Sequence, residues 1–269
     1  MQLGQEPETV AFECNICGQR CLVAIDQLQR EVASCEACGS SPRARAIIRA
    51  LSLELFGQNF VLRDFPESRR ISGLGMTDWE GYAVRLAEKF RYTNTYYHQE
   101  PMLDISNPEV PESLVQSSDF IISSEVFEHV VPPVRRAFEN TFKLLKPGGV
   151  LVLTVPYGTQ AETVEHFPDL YDFTIIADMG SYRLENVTRS GDVQEFHDLI
   201  FHGGPGSTLE MRVFAEAALL RHLSEAGFEA VTVHRTPDFP HGIWWPELWS
   251  FPLSARRPKS DVLGVKANA

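Results

Sequence analysis

The stretch Asp119–Pro156 reads DFIISSEVFEHVVPPVRRAFENTFKLLKPGGVLVLTVP, and its pattern decides the fold. Phe120, Ile121 and Ile122 form a short apolar run, as in strands buried on both faces. Ser123, Ser124 and Glu125 then place polar groups at the strand's carboxyl end. After Pro132-Pro133, apolar residues at Val134, Ala137, Phe138, Thr141 and Leu145 fall on one helical stripe. Lys146-Pro147-Gly148-Gly149 stops that helix, because proline cannot continue it and glycine accepts a left-handed cap. Val150 to Val155 is nearly all apolar and rich in β-branched residues, so it reads as a second buried strand. Two buried strands joined by a helix make a βαβ unit, the repeating piece of a doubly wound sheet.

The segments SSEVFEHV, LLKPGG and LVLTVP together resemble class I S-adenosylmethionine-dependent methyltransferases, in particular the small-molecule methyltransferase domain family. The likeness is strongest in this stretch and extends more weakly from about Ile71 to Arg235. It implies an α/β, Rossmann-like, seven-stranded methyltransferase sheet and S-adenosylmethionine as cofactor. It leaves out the N-terminal segment and the C-terminal tail.

The 269 residues suffice for one α/β domain with a small appendage. Hydrophobic content of 43% and charged content of 22% are those of a globular chain. With 36 acids against 24 bases the net charge is -12, which argues against a surface built for nucleic acid. No apolar run is long enough to span a membrane. The start MQLGQEPETV lacks the basic and apolar parts of a secretory signal. All five cysteines lie before residue 40, which points to metal in a reducing cytoplasm rather than to disulfides.

Cys14-x2-Cys17 and Cys35-x2-Cys38 are separated by 17 residues, the spacing of a four-thiolate structural zinc site. Gly18 and Gly39 each follow the second cysteine of a pair, where glycine permits a tight turn. Residues 1–41 therefore read as a zinc ribbon, with residues 1–10 loose and Cys21 left over as a small buried hydrophobe. Ser40-Ser41-Pro42 opens a helix to about Phe56, with Ile47, Ala50, Leu51 and Leu55 inward. Arg43, Arg45 and Arg49 read as its solvated face. Residues 42–68 link the ribbon to the main domain, 69–253.

Within that domain, Ile71-Ser72-Gly73-Leu74-Gly75-Met76 leads into a helix capped by Asp78, with Trp79, Tyr82, Ala83, Leu86 and Phe90 on one face. Glycine in such a turn lets backbone approach a ligand closely. The resemblance assigns Gly73 and Gly75 to cofactor binding, but departs from the family pattern at Ile71-Ser72 and Thr77, where an acid and a third glycine are usual. Asn94–His98 (NTYYH) reads as the second strand. The resemblance implies an acid after it for the two ribose hydroxyls, here Glu100, and an acid for the adenine amine, here Asp104, with Ile105 packing on the ring. Ser123 and Glu125 line the same cleft. Glu128 is expected to brace the loop and His129 to border the cleft.

Residues 157–210 are irregular and read as an acceptor-covering insert. His197 is its candidate general base, with His166 and His202 as competitors and Asp198 as a polar wall, because histidine titrates near neutrality. A helix from Ala215 to Gly227 and a strand from Phe228 to His234 follow. The tryptophans of HGIWWPELW pack on the sheet edge, and 254–269 read as a disordered tail. The function expected is methyl transfer to a small-molecule or glycan-like acceptor. Two readings stay open beside it: an RNA methyltransferase with a zinc recognition module, and a degenerate, non-catalytic binding subunit.

Overall fold

The computed structural model describes residues 8–178, 180–204 and 206–259. The N-terminal hairpin pairs β1 (Thr9–Glu13) with β2 (Arg20–Ala24), Thr9 opposite Ala24 and Glu13 opposite Arg20. Helix α1 (Pro42–Phe56) follows, its first turn capped by Ser41, whose Oγ accepts from Ala44 N at 3.3 Å.

The main domain then alternates: β3 (Ser68–Met76), α2 (Glu80–Lys89), β4 (Phe90–Thr95), β5 (Ser118–Ser124), α3 (Arg135–Leu144) and β6 (Leu145–Thr154). Short strands β7 (Tyr157–Gly158) and β8 (Val164–Glu165) lead to an antiparallel sheet of β9 (Asp172–Asp178), β10 (Ser181–Val187) and β11 (Val193–Phe196). After it come β12 (Phe201–His202), β13 (Thr208–Leu209), β14 (Arg212–Ala215), α4 (Glu216–Glu225), β15 (Glu229–Val233) and β16 (Leu253–Arg256).

The central sheet has six strands in the order β15-β16-β6-β5-β3-β4. β4, β3, β5 and β6 are parallel; β16 runs antiparallel to β6, and β15 to β16. The seven strands implied by the resemblance are six among the described residues; past β4 an isolated parallel bridge joins Tyr96 and Met102.

Strand alternation explains the layers. Phe120 and Ile122 of β5, with Val150 and Val152 of β6, face one core shared with α1, α2 and the ribbon residues Phe12, Ile16 and Leu28. Ile121, Leu151 and Leu153 face the opposite core with α3 and α4. The insert carries a smaller core of Phe167, Leu184, Leu209 and Met211.

Four expectations are corrected. The second strand is Phe90–Thr95 and ends where NTYYH was to begin pairing, because Phe90 and Thr95 are the buried positions. Asp78 does not cap α2; it is buried, and the Tyr92 hydroxyl donates to it. The segment 253–256 is no tail but the strand between β6 and β15, with Leu253, Ser254 and Ala255 buried; 260–269 lie outside the described residues. Finally, the arginines of α1 are not solvated. Arg45 is fully buried, donating to Ser40 O at 2.7 Å, Ser34 Oγ at 2.8 Å and Gly242 O at 2.6 Å. Arg49 pairs with Asp238 at 3.0 Å, and Arg43 reaches Glu31 and Ser124. Their partners come from loops distant in sequence, which helical periodicity does not register.

Candidate active site and metal centre

The cysteine pairs close on each other. Gly18 N donates to Cys14 O and Gly39 N to Cys35 O, both at 2.7 Å, with φ of 77° and 73° at the two glycines. Each turn swings its cysteines inward, so all four Sγ atoms lie within 4.8 Å of one another. Cys14–Cys38 are 3.7 Å apart and Cys17–Cys35 3.6 Å. Four thiolates about 2.3 Å from one tetrahedral ion would sit about 3.8 Å apart. Crowded thiols share protons: the hydrogen bond from Cys38 pulls Cys14 down to about 4, against burial, and pushes Cys38 up. Ser40 Oγ lies 3.2 Å from Cys14 Sγ, and the Arg45 guanidinium is bonded to the same serine, so a fixed cation stands behind the thiolates. Cys21 is half-buried rather than enclosed, with its Sγ 3.7 Å from Cys35 Sγ.

The second cluster lies where the strand order reverses, between the carboxyl ends of β3 and β5. Met76 pairs with Ser123 there, and Ser123 Oγ is buried without a hydrogen-bond partner among the described residues. Thr77 stands in the left-handed region at φ 57°, at the place the resemblance gives to a third glycine. Gly75 makes room for polar side chains: a Cβ there would overlap the Tyr92 hydroxyl and Asp78 carboxylate and lie 2.9 Å from Asn94 Oδ1. Gly73 makes room for the Phe120 ring. Burial pushes Asp78 up to about 7, opposed by hydrogen bonds from Tyr92 and Tyr82.

Glu125, the residue after β5, accepts from Arg30 at 2.8 and 3.2 Å. Burial opposes its charge, but Arg30 and then Arg43 outweigh it and hold the carboxyl below its ordinary range. Asp104 Oδ1 accepts from Ser106 N at 2.8 Å and Ser106 Oγ at 2.6 Å, and Ile105 beside it is buried. Glu100 is exposed and accepts from Met102 N at 3.1 Å.

A third cluster forms where the turn after β5 meets the insert. Arg212 donates to Phe127 O at 3.2 Å and Val130 O at 2.6 Å, fixing the turn that carries Glu128 and His129. His129, His202, Glu210 and His166 follow one another in a chain of contacts of 3.2, 3.1 and 2.8 Å. Glu128 is fully buried and neither of its carboxyl oxygens has a hydrogen-bond partner among the described residues, so its side chain does not brace the loop by hydrogen bonding; its backbone oxygen accepts from Met211 N at 2.8 Å. Burial, then the nearby Glu125, pushes its carboxyl well up; burial pushes His129 down. His197 is elsewhere in character: its side chain is 64% exposed and 3.1 Å from Glu195. The histidines that converge are those the sequence left as its competitors or at the cleft border. Arg30, Arg43 and Glu210 carried no sequence signal, since their partners lie up to 95 residues away.

Residues 23–233 match the family described as "Methyltransferase domain". The chain belongs to that family. Several solved methyltransferases resemble this methyltransferase-domain protein. One is 1,6-didemethyltoxoflavin-N1-methyltransferase of Burkholderia thailandensis, solved with its substrate and S-adenosylhomocysteine (14% identity, 79% of this chain, 78% of that one, TM-score 0.40). Another is CalS10, an amino pentose methyltransferase of Micromonospora echinaspora (15%, 81% and 92%, 0.42). A third is the sugar N-methyltransferase KedS8 of Streptoalloteichus (14%, 80% and 86%, 0.45). No curated protein matches the sequence. Among the described residues no helix is long and apolar enough to cross a membrane.

Proposed function

We propose that this methyltransferase-domain protein transfers a methyl group from S-adenosylmethionine to a small-molecule or glycan-like acceptor, and that Cys14, Cys17, Cys35 and Cys38 hold one structural zinc ion. The observation that carries the first part is the strand-order reversal between β3 and β5, with Ser123 Oγ buried and unpartnered beside it. Such a group needs an acceptor or donor that the described residues do not supply. The cofactor brings an electrophilic methyl on a sulfonium centre; the protein's task is to position the reactants and exclude water.

The residues fit that cofactor's parts. Arg43 and Arg30 stand at the end of β5 near where an amino-acid carboxylate would lie, each already paired with Glu31 or Glu125. Glu100 and Asp104 are carboxylates suited to a vicinal diol and an amine, because each accepts two or more hydrogen bonds. Ile105 offers an apolar flank, and Gly75, Ser123 and Glu125 border the opening. Gly73 serves the site indirectly, by seating Phe120 against β3. The acceptor side is the insert, through His129, His166 and His202.

A second reading has its own support. Arg30 and Arg43 reach across the end of β5, and Tyr92, Asp78 and Asn94 crowd Gly75, as in a domain kept for binding a partner. Calorimetric titration with S-adenosylhomocysteine separates the two. One equivalent bound, weakened by Ser123→Val, supports the enzyme. Absence of binding by the folded, zinc-loaded chain would leave the binding-subunit reading.

A further inference from the structure

Glu128, His129 and His202 bring three potential electron-pair donors together. His129 Nδ1 lies 2.9 Å from the carbonyl oxygen of Leu209. A carbonyl can only accept, so that nitrogen carries the hydrogen and Nε2 keeps its lone pair. His202 Nε2 lies 3.1 Å from Glu210 Oε2, and its Nδ1 lies 3.2 Å from His129 Nε2, with the rings at 88°. Glu128 Oε1 stands 3.6 Å from His129 Nε2, and both Glu128 oxygens are buried without a hydrogen-bond partner.

A buried carboxyl group without a hydrogen-bond partner is costly. A cation held between it and the two imidazole nitrogens relieves that cost. We propose that Glu128, His129 and His202 bind one divalent transition-metal ion, separate from the cysteine centre. Ligands about 2.1 Å from one ion lie about 3.0–3.4 Å apart. The spacings here are 3.2 and 3.6 Å, and all three ligand atoms fall within 4.8 Å of one another. Two imidazoles and a carboxylate suit zinc, manganese, iron or cobalt, and only three protein ligands leave coordination positions open.

The surroundings are those of a metal site. The second nitrogen of each imidazole faces an oxygen, that of His129 hydrogen-bonded to a carbonyl and that of His202 near a carboxylate, the partners that orient metal-bound imidazoles. Glu210 is itself held by His166 at 2.8 Å. His129 is on the turn after β5, whereas His202 is on β12 of the insert, so the ion ties the insert to the central sheet. Open coordination positions would suit an acceptor oxygen; that last step rests on the methyl-transfer reading, whereas the site itself does not.

The test is metal content. The full, untagged chain with its cysteine centre loaded is dialysed against Zn2+, or against Co2+ for its absorption spectrum. The proposal expects a second equivalent without sulfur-to-cobalt charge-transfer bands. His202→Ala, a change on a partly exposed short strand, should lose that equivalent and keep the first. Glu128→Gln should lose it too, and Glu210→Gln should weaken it about 10–100-fold. A single equivalent in the wild-type chain would overturn the site, as would a second equivalent that His202→Ala leaves unchanged. S-adenosylhomocysteine titration of the same samples reports on the methyl-transfer reading independently.

Discussion

Arg30 grips Glu125 with both arms of its guanidinium, at 2.8 and 3.2 Å, across 95 residues of chain. Its Nε donates to Ser250 O at 3.0 Å. One side chain from the segment after the ribbon hairpin thus joins the end of β5 to the tryptophan-rich loop. The paired geometry is the strong form of an arginine–carboxylate contact.

Breaking this pair should be costly, because both partners are largely out of water, with side chains 17% and 21% exposed. Arg30→Ala should lower stability by about 2–4 kcal/mol in urea unfolding at neutral pH. The sign with pH follows from the depressed Glu125 carboxyl. Its contribution is full above the ordinary carboxylate range and is lost as pH falls through the lowered folded value. The gap between wild type and Arg30→Ala should therefore narrow in acid. A gap that is constant down to acid unfolding would show that the ion pair contributes nothing.

Removing the proposed zinc from the four cysteines should loosen more than the N-terminal hairpin. Phe12, Ile16 and Leu28 share a core with α1, Tyr82, Phe90 and Phe120. Cys35→Ser should therefore release one zinc per chain, seen by elemental analysis, and lower the melting temperature of the single main transition. X-ray absorption of the wild-type centre should show sulfur alone around the ion. An unchanged transition in the metal-free variant would mean that the ribbon folds without zinc.

Gly75→Ala should destabilise the fold, besides any effect on ligand. The new methyl group would meet the Tyr92 hydroxyl, the Asp78 carboxylate and Asn94. Overpacking of this kind costs about 1–3 kcal/mol. Gly75→Ala with wild-type stability but no cofactor binding would instead place the glycine's role wholly in ligand contact.

Asp78 should make the protein less stable as pH rises from about 4 to about 7. Burial raises its folded value to about 7, while the unfolded chain releases the proton near the ordinary value of about 3.9. In that window the folded state binds the extra proton, so stability falls with increasing pH. Asp78→Asn should flatten this slope and gain on the order of a few kcal/mol above neutrality. Parallel stability profiles for the two proteins would rule the titration out.

The βαβ unit and the cysteine knuckles were legible because each rests on short-range rules. Burial of β5 and β6 on both faces follows from their continuous apolar runs. The knuckles follow from two-residue gaps and a glycine. The polar site was legible in part: Ser123 and Glu125 fall at the end of β5 as expected, whereas His197 stands exposed beside Glu195. Nothing local distinguishes His197 from His202.

Sequence alone thus determined the βαβ unit of β5, α3 and β6 and the cluster of four thiols, because local periodicity and covalent spacing encode them. Tertiary structure alone decided the rest. Leu253–Arg256 became a central strand because β6 and β15 left an interior gap that pairing had to satisfy. Arg45 became buried, and Arg30 and Arg43 half-buried, because carboxylates, hydroxyls and carbonyls from remote loops solvate them in place of water. His129, His202 and Glu210 became one cluster because the insert folds back on the turn after β5. No pattern along the chain records which charges will meet when two distant segments pack, since that depends on the geometry of the whole fold.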